Sequence, residues 1–134
     1  MYQTEFQLRV RYSETDRMNY VYYGNYAQYF EVARVEALRS LGISYREMEE
    51  KGILLPVLNY SVNFIRPAFY DELLTIKTII PSLPAARILF EYETYNESDV
   101  LINTAKTTLV FVDKKSMKPC AAPHEVMEKL AKYF

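Results

Sequence analysis

Alternating apolar and polar residues predict five β-strands. In the first, Phe6, Leu8, Val10 and Tyr12 alternate with polar residues, which is the period of a half-buried strand. Four later segments show the same period: 58–64, 74–80, 88–93 and 101–112. Short polar turns join the last four, which favours antiparallel neighbours rather than helical crossovers.

Helical spacing predicts one long helix between the first strand and the other four. Apolar residues recur every three or four positions after Asn25, namely Tyr26, Tyr29, Phe30, Ala33, Ala37 and Leu41. Asn25 is expected to cap this helix, and Gly42 to end it in a left-handed conformation. A short helix begins at Ser44, whose spacing from Glu47 is that of a capping box, and a last one covers 123–134.

One strongly apolar helix and one antiparallel sheet with a single apolar face make a two-layer α+β domain, with the helix lying across the sheet. The 134 residues fit a single domain over 1–134. A formal net charge of -1 argues against nucleic acid as a partner. The longest apolar stretch, 53–58, is too short to cross a bilayer.

Cysteine and aromatic content add two expectations. Cys120 is the one cysteine, so no internal disulfide is possible, and with no signal peptide visible the expected location is cytoplasmic. The chain has 13 Tyr and 7 Phe, more than a core of this size needs. Because tyrosine suits subunit contacts and ligand clefts, the excess indicates a homo-oligomer.

The sequence contains few residues that could act as nucleophiles or metal ligands, which limits the possible reaction mechanisms. One histidine, His124, and one cysteine leave little for a catalytic triad or a zinc site. No glycine-rich phosphate loop is present, so neither a metal nor another cofactor is expected. Any hydrolysis must therefore depend on a carboxylate.

One joined motif is specific enough to indicate a family. It consists of Glu14-Thr15-Asp16, then Val-Tyr-Tyr-Gly-Asn-Tyr over 21–26, then Tyr29-Phe30-Glu31. It closely resembles the hot-dog-fold acyl-CoA thioesterases of the hydroxybenzoyl-CoA thioesterase type, including the relatives encoded beside the Tol-Pal genes. The likeness extends over nearly the whole chain, with further matches at 60–64, 67–68, 107–112 and 117–119.

This resemblance implies a curved, antiparallel five-stranded sheet wrapped around a long central helix. It also implies subunits that pair their sheets edge to edge, as a dimer or a dimer of dimers, with the active site at the interface. The family's catalytic acid matches Asp16, and the residues lining the oxyanion and substrate site match Tyr23, Gly24 and Asn25. The implied substrate is an acyl-CoA or an acyl-carrier-protein thioester.

Two positions depart from the commonest family pattern. Many members carry histidine where this chain has Tyr23, although the hydroxybenzoyl branch also has tyrosine there. Many have glycine where this chain has Asn19. Because asparagine tolerates a left-handed backbone well, we expect the loop to keep its shape.

A thioester is a substrate that a carboxylate can hydrolyse without histidine. Its thiolate leaves readily, since such thiols titrate near about 8.5. Asp16 would attack the carbonyl or activate a water, and N–H groups at the helix start would receive the oxyanion. Arg66, Arg87 and Lys118, near strand ends or loops, are candidates for binding the CoA phosphates.

Three alternatives compete with this interpretation. Asp16 is a loop-capping residue by default, since loop acids are commonly structural. A non-catalytic acyl-CoA-binding module would keep the cleft without needing this carboxylate. A hot-dog hydratase or dehydratase usually carries histidine five positions after the aspartate, where this chain has Val21.

Overall fold

The computed structural model describes residues 1–134 and has the predicted two layers. The helices are α1 (Tyr26–Ser40), α2 (Tyr45–Glu50) and α3 (His124–Ala131). The strands are β1 (Tyr2–Arg9), β2 (Ile53–Leu54), β3 (Val57–Phe64), β4 (Leu73–Ile80), β5 (Arg87–Tyr95), β6 (Leu101–Val110), β7 (Val112–Asp113) and β8 (Lys118–Pro119). The main sheet is antiparallel and five-stranded, in the order β1-β4-β5-β6-β3. None of the helices combines the length and apolar character that a membrane crossing needs.

The core lies between α1 and the sheet. On the helix, the predicted apolar face is buried, and its Phe30 ring lies 4.7 Å from the ring of Tyr92 on β5. The facing sheet residues include Leu74, Ile76, Ile80, Ile88, Phe90, Ile102 and Leu109, all at most 1% exposed. The helix therefore lies across one apolar face of the sheet, as the sequence predicts.

Three strands lie within two residues of their predicted ends, and the pairing explains why the first and the last long strand differ from their predicted ranges. The first begins at Tyr2 and ends at Arg9, because it pairs along its whole length with β4, from Tyr2 opposite Ile80 to Arg9 opposite Leu73. The last long strand ends at Val110 rather than 112. The next two residues are buried together, which breaks the alternation, and Val112 enters a small second sheet of order β2-β7-β8 that the sequence pattern did not predict.

The ends of the helices test three local predictions. Gly42 has a φ of 81°, so the left-handed end of the long helix is confirmed. Ser44 also caps α2, since its Oγ accepts the Glu47 N–H at 3.2 Å. The prediction that Asn25 caps α1 is wrong: its backbone is already helical, and its amide donates instead to the Glu14 carbonyl at 2.9 Å.

Candidate active site

The loop between β1 and α1 is held in place by one buried carboxylate, Glu14, whose residue is 7% exposed. Its Oε1 accepts the Tyr29 hydroxyl and the Arg11 N–H, both at 2.8 Å, and its Oε2 accepts the Arg11 guanidinium at 2.9 Å. Its backbone carbonyl accepts the Tyr22 N–H and the Asn25 amide, both at 2.9 Å. Glu14 therefore holds the loop against α1 at two places. Its carboxylate binds Tyr29 within the helix, and its backbone carbonyl binds Tyr22 and Asn25 just before the helix begins.

The same contacts determine the protonation of this group. Burial acts to raise the pKa of Glu14, but the hydrogen bonds from Arg11 and Tyr29 outweigh it and hold that pKa below the ordinary value of 4.5. The pKa of Tyr29 is raised, first by burial and then by its bond to the carboxylate. The sequence motif includes Glu14, but spacing alone did not reveal this positioning role.

Glu14→Gln should make the protein less stable and less sensitive to acid. A lowered pKa in the folded state stabilises the protein above the ordinary carboxyl pKa, and this contribution disappears as pH falls through the folded value. At neutral pH we expect a loss of about 1.5–3 kcal/mol, typical of hydrogen bonds to a charged group. Urea unfolding across the pH range should show the two proteins converging below pH 4.5; a gap that stays constant would contradict the assignment.

Asp16 lies in a tight turn that follows this anchor. Its Oδ1 accepts the Met18 N–H at 2.8 Å, and its backbone carbonyl accepts the Asn19 N–H at 3.0 Å. Asn19 has a φ of 69°, so the expected left-handed conformation is confirmed. No hydrogen bond within the chain reaches the second carboxylate oxygen, Oδ2, which leaves it available to a ligand.

Two cavities meet at Asp16. The first, of about 260 Å³, is mostly apolar, and its lining is Asp16, Tyr20, Val21, Tyr23, Tyr26, Phe64, Ile65, Arg66 and Pro67. The second, of about 700 Å³, is lined by Asp16 with Tyr12, Thr15, Arg17, Asn19 and Tyr70. Asp16 therefore borders both an apolar compartment and a more polar one. The cavity wall formed by residues 64–67, at the end of β3 and just after it, was not predicted except for Arg66.

The start of α1 lies beside the first cavity. A 3-10 turn over Tyr23–Asn25 precedes the helix, and the N–H groups of Tyr23 and Gly24 donate to no group of the chain. Such N–H groups carry partial positive charge. Of the three predicted site-lining residues, Tyr23 lines the cavity, Gly24 offers only its backbone, and Asn25 turns its side chain toward Glu14.

The three predicted phosphate-binding residues do not lie together. Arg66 lines the first cavity with Asp16. Arg87 is the first residue of β5, opposite Val110, whereas the cavity lies near Asn103 at the other end of β6. Seven strand residues separate these points, or about 23 Å. Lys118, opposite Asp113, lies beyond the same far end of β6.

Two oppositely charged residues on the long helix, Glu31 and Arg34, do not form an ion pair. The spacing of Glu31 and Arg34 allows an ion pair, but Glu31 is exposed while Arg34 is buried. Burial acts to lower the pKa of Arg34, yet the nearby Tyr92 and Tyr45 hydroxyl groups leave it raised overall. The helix therefore presents no carboxylate to this guanidinium.

Comparison with known proteins gives one family and close relatives. The family model of the thioesterase-like superfamily matches residues 10–130. The acyl-CoA thioesterase YbgC of Haemophilus influenzae is 33% identical over 122 residues, which cover 90% of this chain and 89% of that protein.

Solved structures share the fold. The DHNA-CoA thioesterase of Staphylococcus aureus is 36% identical, with a TM-score of 0.87 over 100% of this chain and 85% of that one. A mutant of 4-hydroxybenzoyl-CoA thioesterase, complexed with 4-hydroxybenzoyl-CoA, has a TM-score of 0.87 over 96% of this chain and 99% of that one. At 20% identity, this second likeness concerns the fold alone.

Proposed function

The chain belongs to the thioesterase-like superfamily, and we propose that it hydrolyses acyl-CoA thioesters to the free acid and CoA, with Asp16 as the catalytic carboxylate. One observation carries the proposal. Asp16 borders an apolar cavity beside the start of a helix, with Oδ2 free of partners inside the chain. A thioester carbonyl in this cavity would meet the carboxylate and the helix N–H groups together.

The reaction needs three events that these groups supply. Oδ2 of Asp16 attacks the carbonyl carbon, or takes a proton from the water that attacks it. The N–H groups of Tyr23 and Gly24 hold the oxyanion, and loss of one such donor typically costs about a hundredfold or more in rate. The carbon–sulfur bond then breaks, and the thiolate leaves as CoA without a strong general acid. On the route by direct attack, this leaves an acyl anhydride on Asp16, which a water hydrolyses to the free acid and the regenerated carboxylate.

We infer a homodimer from the two edges of the main sheet. The outward face of β1 carries Gln3, Glu5, Gln7 and Arg9, which is the usual protection of a free edge. The other edge, β3, has three large side chains that remain 40–52% exposed: Leu58, Tyr60 and Phe64. A second copy pairing antiparallel along β3 would cover these side chains and satisfy the edge.

This pairing would also bring basic residues to the site. In an antiparallel pair centred on β3, the start of the partner's strand lies beside Phe64. Arg87 of the partner subunit, two strands further on, then lies about 14 Å from Phe64. Within one chain, the distance from Phe64 to Arg87 is about 25 Å. We propose that Arg66 and the partner's Arg87 and Lys118 bind the CoA phosphates. The shared site makes the dimer the active form.

The other interpretations have less support from the structure. A hydratase needs a proton-transfer group where Val21 stands, and this side chain is apolar and 4% exposed. A binding module would not need the arrangement at Asp16, and the closely related YbgC is named for hydrolysis. We also propose that the 134 residues act as one domain in the cytoplasm, where Cys120 would stay reduced.

The direct test is a panel of acyl-CoA and acyl-carrier-protein thioesters, with release of the free thiol measured by a chromogenic disulfide. We expect turnover well above the background rate for at least one acyl-CoA. Comparing the turnover of the acyl-CoA and the acyl-carrier-protein thioester of the same acyl group identifies the preferred carrier. Tight binding of acyl-CoA without release of thiol would instead support the binding module.

A further inference from the structure

Two polar side chains are fully buried in the sheet without hydrogen-bond partners. Asn103 on β6 is 0% exposed, and neither its Nδ2 nor its Oδ1 has a partner. Thr94 on β5 is also 0% exposed, and its Oγ1 has none. More than nine in ten buried polar groups are paired, so three unpaired atoms together need an explanation.

These two residues are neighbours in the sheet, and Asn103 is also the pairing partner of a residue that lines the cavity at Asp16. Asn103 stands opposite Thr94 on one side and opposite Phe64 on the other. Side chains in such directly opposed pairs have Cβ atoms about 4.5–5.5 Å apart on the same face. Phe64 lines the cavity that contains Asp16, and its ring lies 5.5 Å from that of Tyr26, which also lines it.

Phe64 connects the cavity with this polar pair, because it lines the cavity and stands directly opposite Asn103. It is the last residue of edge strand β3, and it is 50% exposed. A rotation of its ring would extend the cavity toward Asn103. The extended compartment would then have apolar aromatic walls and a polar end with one amide donor group and two acceptor oxygens.

We propose that Asn103 and Thr94 recognise a hydroxyl group on the acyl portion of the substrate, and so determine which acyl-CoA is hydrolysed. This inference rests on the proposed function. Leaving buried polar groups unpaired costs stability, and a ligand that pairs them recovers this cost only when bound. A site of this kind discriminates strongly against an analogue that lacks the hydroxyl, because the protein groups then remain unpaired.

The test compares two matched substrate pairs, 4-hydroxybenzoyl-CoA with benzoyl-CoA, and 3-hydroxybutyryl-CoA with butyryl-CoA. The pairs differ in the distance from the hydroxyl to the thioester. In the wild-type protein, kcat/KM should favour the hydroxylated member of at least one pair by about tenfold or more. In Asn103→Leu this ratio should fall toward one, mainly through loss of activity on the hydroxylated substrate.

Two further variants separate recognition from folding. Thr94→Val removes only the hydroxyl at nearly constant volume, so it should lower the same ratio even if Asn103→Leu folds poorly. Thr78→Val is the matched control, because Thr78 is an equally buried, unpaired hydroxyl on β4, about 10 Å away from β6. It should leave the ratio unchanged.

The outcomes for this inference and for the proposed function are distinct. If both members of each pair are hydrolysed equally well, or if Asn103→Leu and Thr94→Val keep the wild-type preference, the hydroxyl-recognition proposal is overturned while thioester hydrolysis stands. If no acyl-CoA of the wider panel releases a thiol, the proposed function itself fails.

Discussion

Asp16→Asn should lower turnover by a factor of at least about a hundred, the usual lower limit for loss of a general base. The asparagine amide oxygen can still accept the Met18 N–H, which Asp16 Oδ1 accepts at 2.8 Å, so the turn should keep its shape. The apolar cavity and the helix N–H groups also remain, so KM should change little. Steady-state kinetics with free-thiol detection, together with thermal unfolding, would measure both effects.

The chain provides a closely matched control for this substitution. Asp113 makes the same kind of turn, with its Oδ1 accepting the N–H of Lys115, two residues later, at 3.0 Å. It lies in β7, outside both cavities at Asp16. Asp113→Asn should therefore keep wild-type turnover. If Asp16→Asn were equally active while well folded, Asp16 would be a turn residue and the catalytic assignment would be wrong.

Much of the fold could be predicted from local signals. The alternation in four later segments and the helical spacing after Tyr26 are strong because each element buries only one face. Gly42 and Ser44 were predictable because their roles depend on a few adjacent residues. The small second sheet was not, since strands of two residues carry too little pattern and form through contacts distant in sequence.

The candidate site was predictable only in part, for a similar reason. The family motif identified Asp16 and Tyr23, which lie close together in sequence and in space. The cavity wall from Phe64 to Pro67 and the buried Asn103 depend on the β3–β6 pairing, which no local pattern specifies. Asn25 was predicted to cap α1 because asparagine is a common N-cap residue. Its side chain instead donates to the Glu14 carbonyl, which is brought close to it only by the folded loop.

Leu58→Lys should shift the proposed dimer toward monomers, and the activity should fall with the fraction of dimer. Leu58 is on edge strand β3 and is 52% exposed, so lysine costs the isolated chain little. In the dimer, each subunit would place an ammonium group among the apolar side chains of the two paired β3 strands. Lysine on an edge strand is a common means of preventing such pairing. Loss of one large apolar contact at an interface typically weakens association by about tenfold or more.

Light scattering over a dilution series, with activity measured on the same samples, tests this expectation. Val32→Lys is the matched control, because Val32 is 45% exposed but lies on α1 beside Phe6 and Leu8 of β1, at the opposite edge of the sheet from β3. It should keep both the dimer and the activity. In Leu58→Lys, activity should return as protein concentration rises, since the site is completed by the partner's Arg87 and Lys118. A monomeric Leu58→Lys protein with full turnover would show that one chain holds the whole site, and the shared phosphate-binding arrangement would then be wrong even if Asp16 is catalytic.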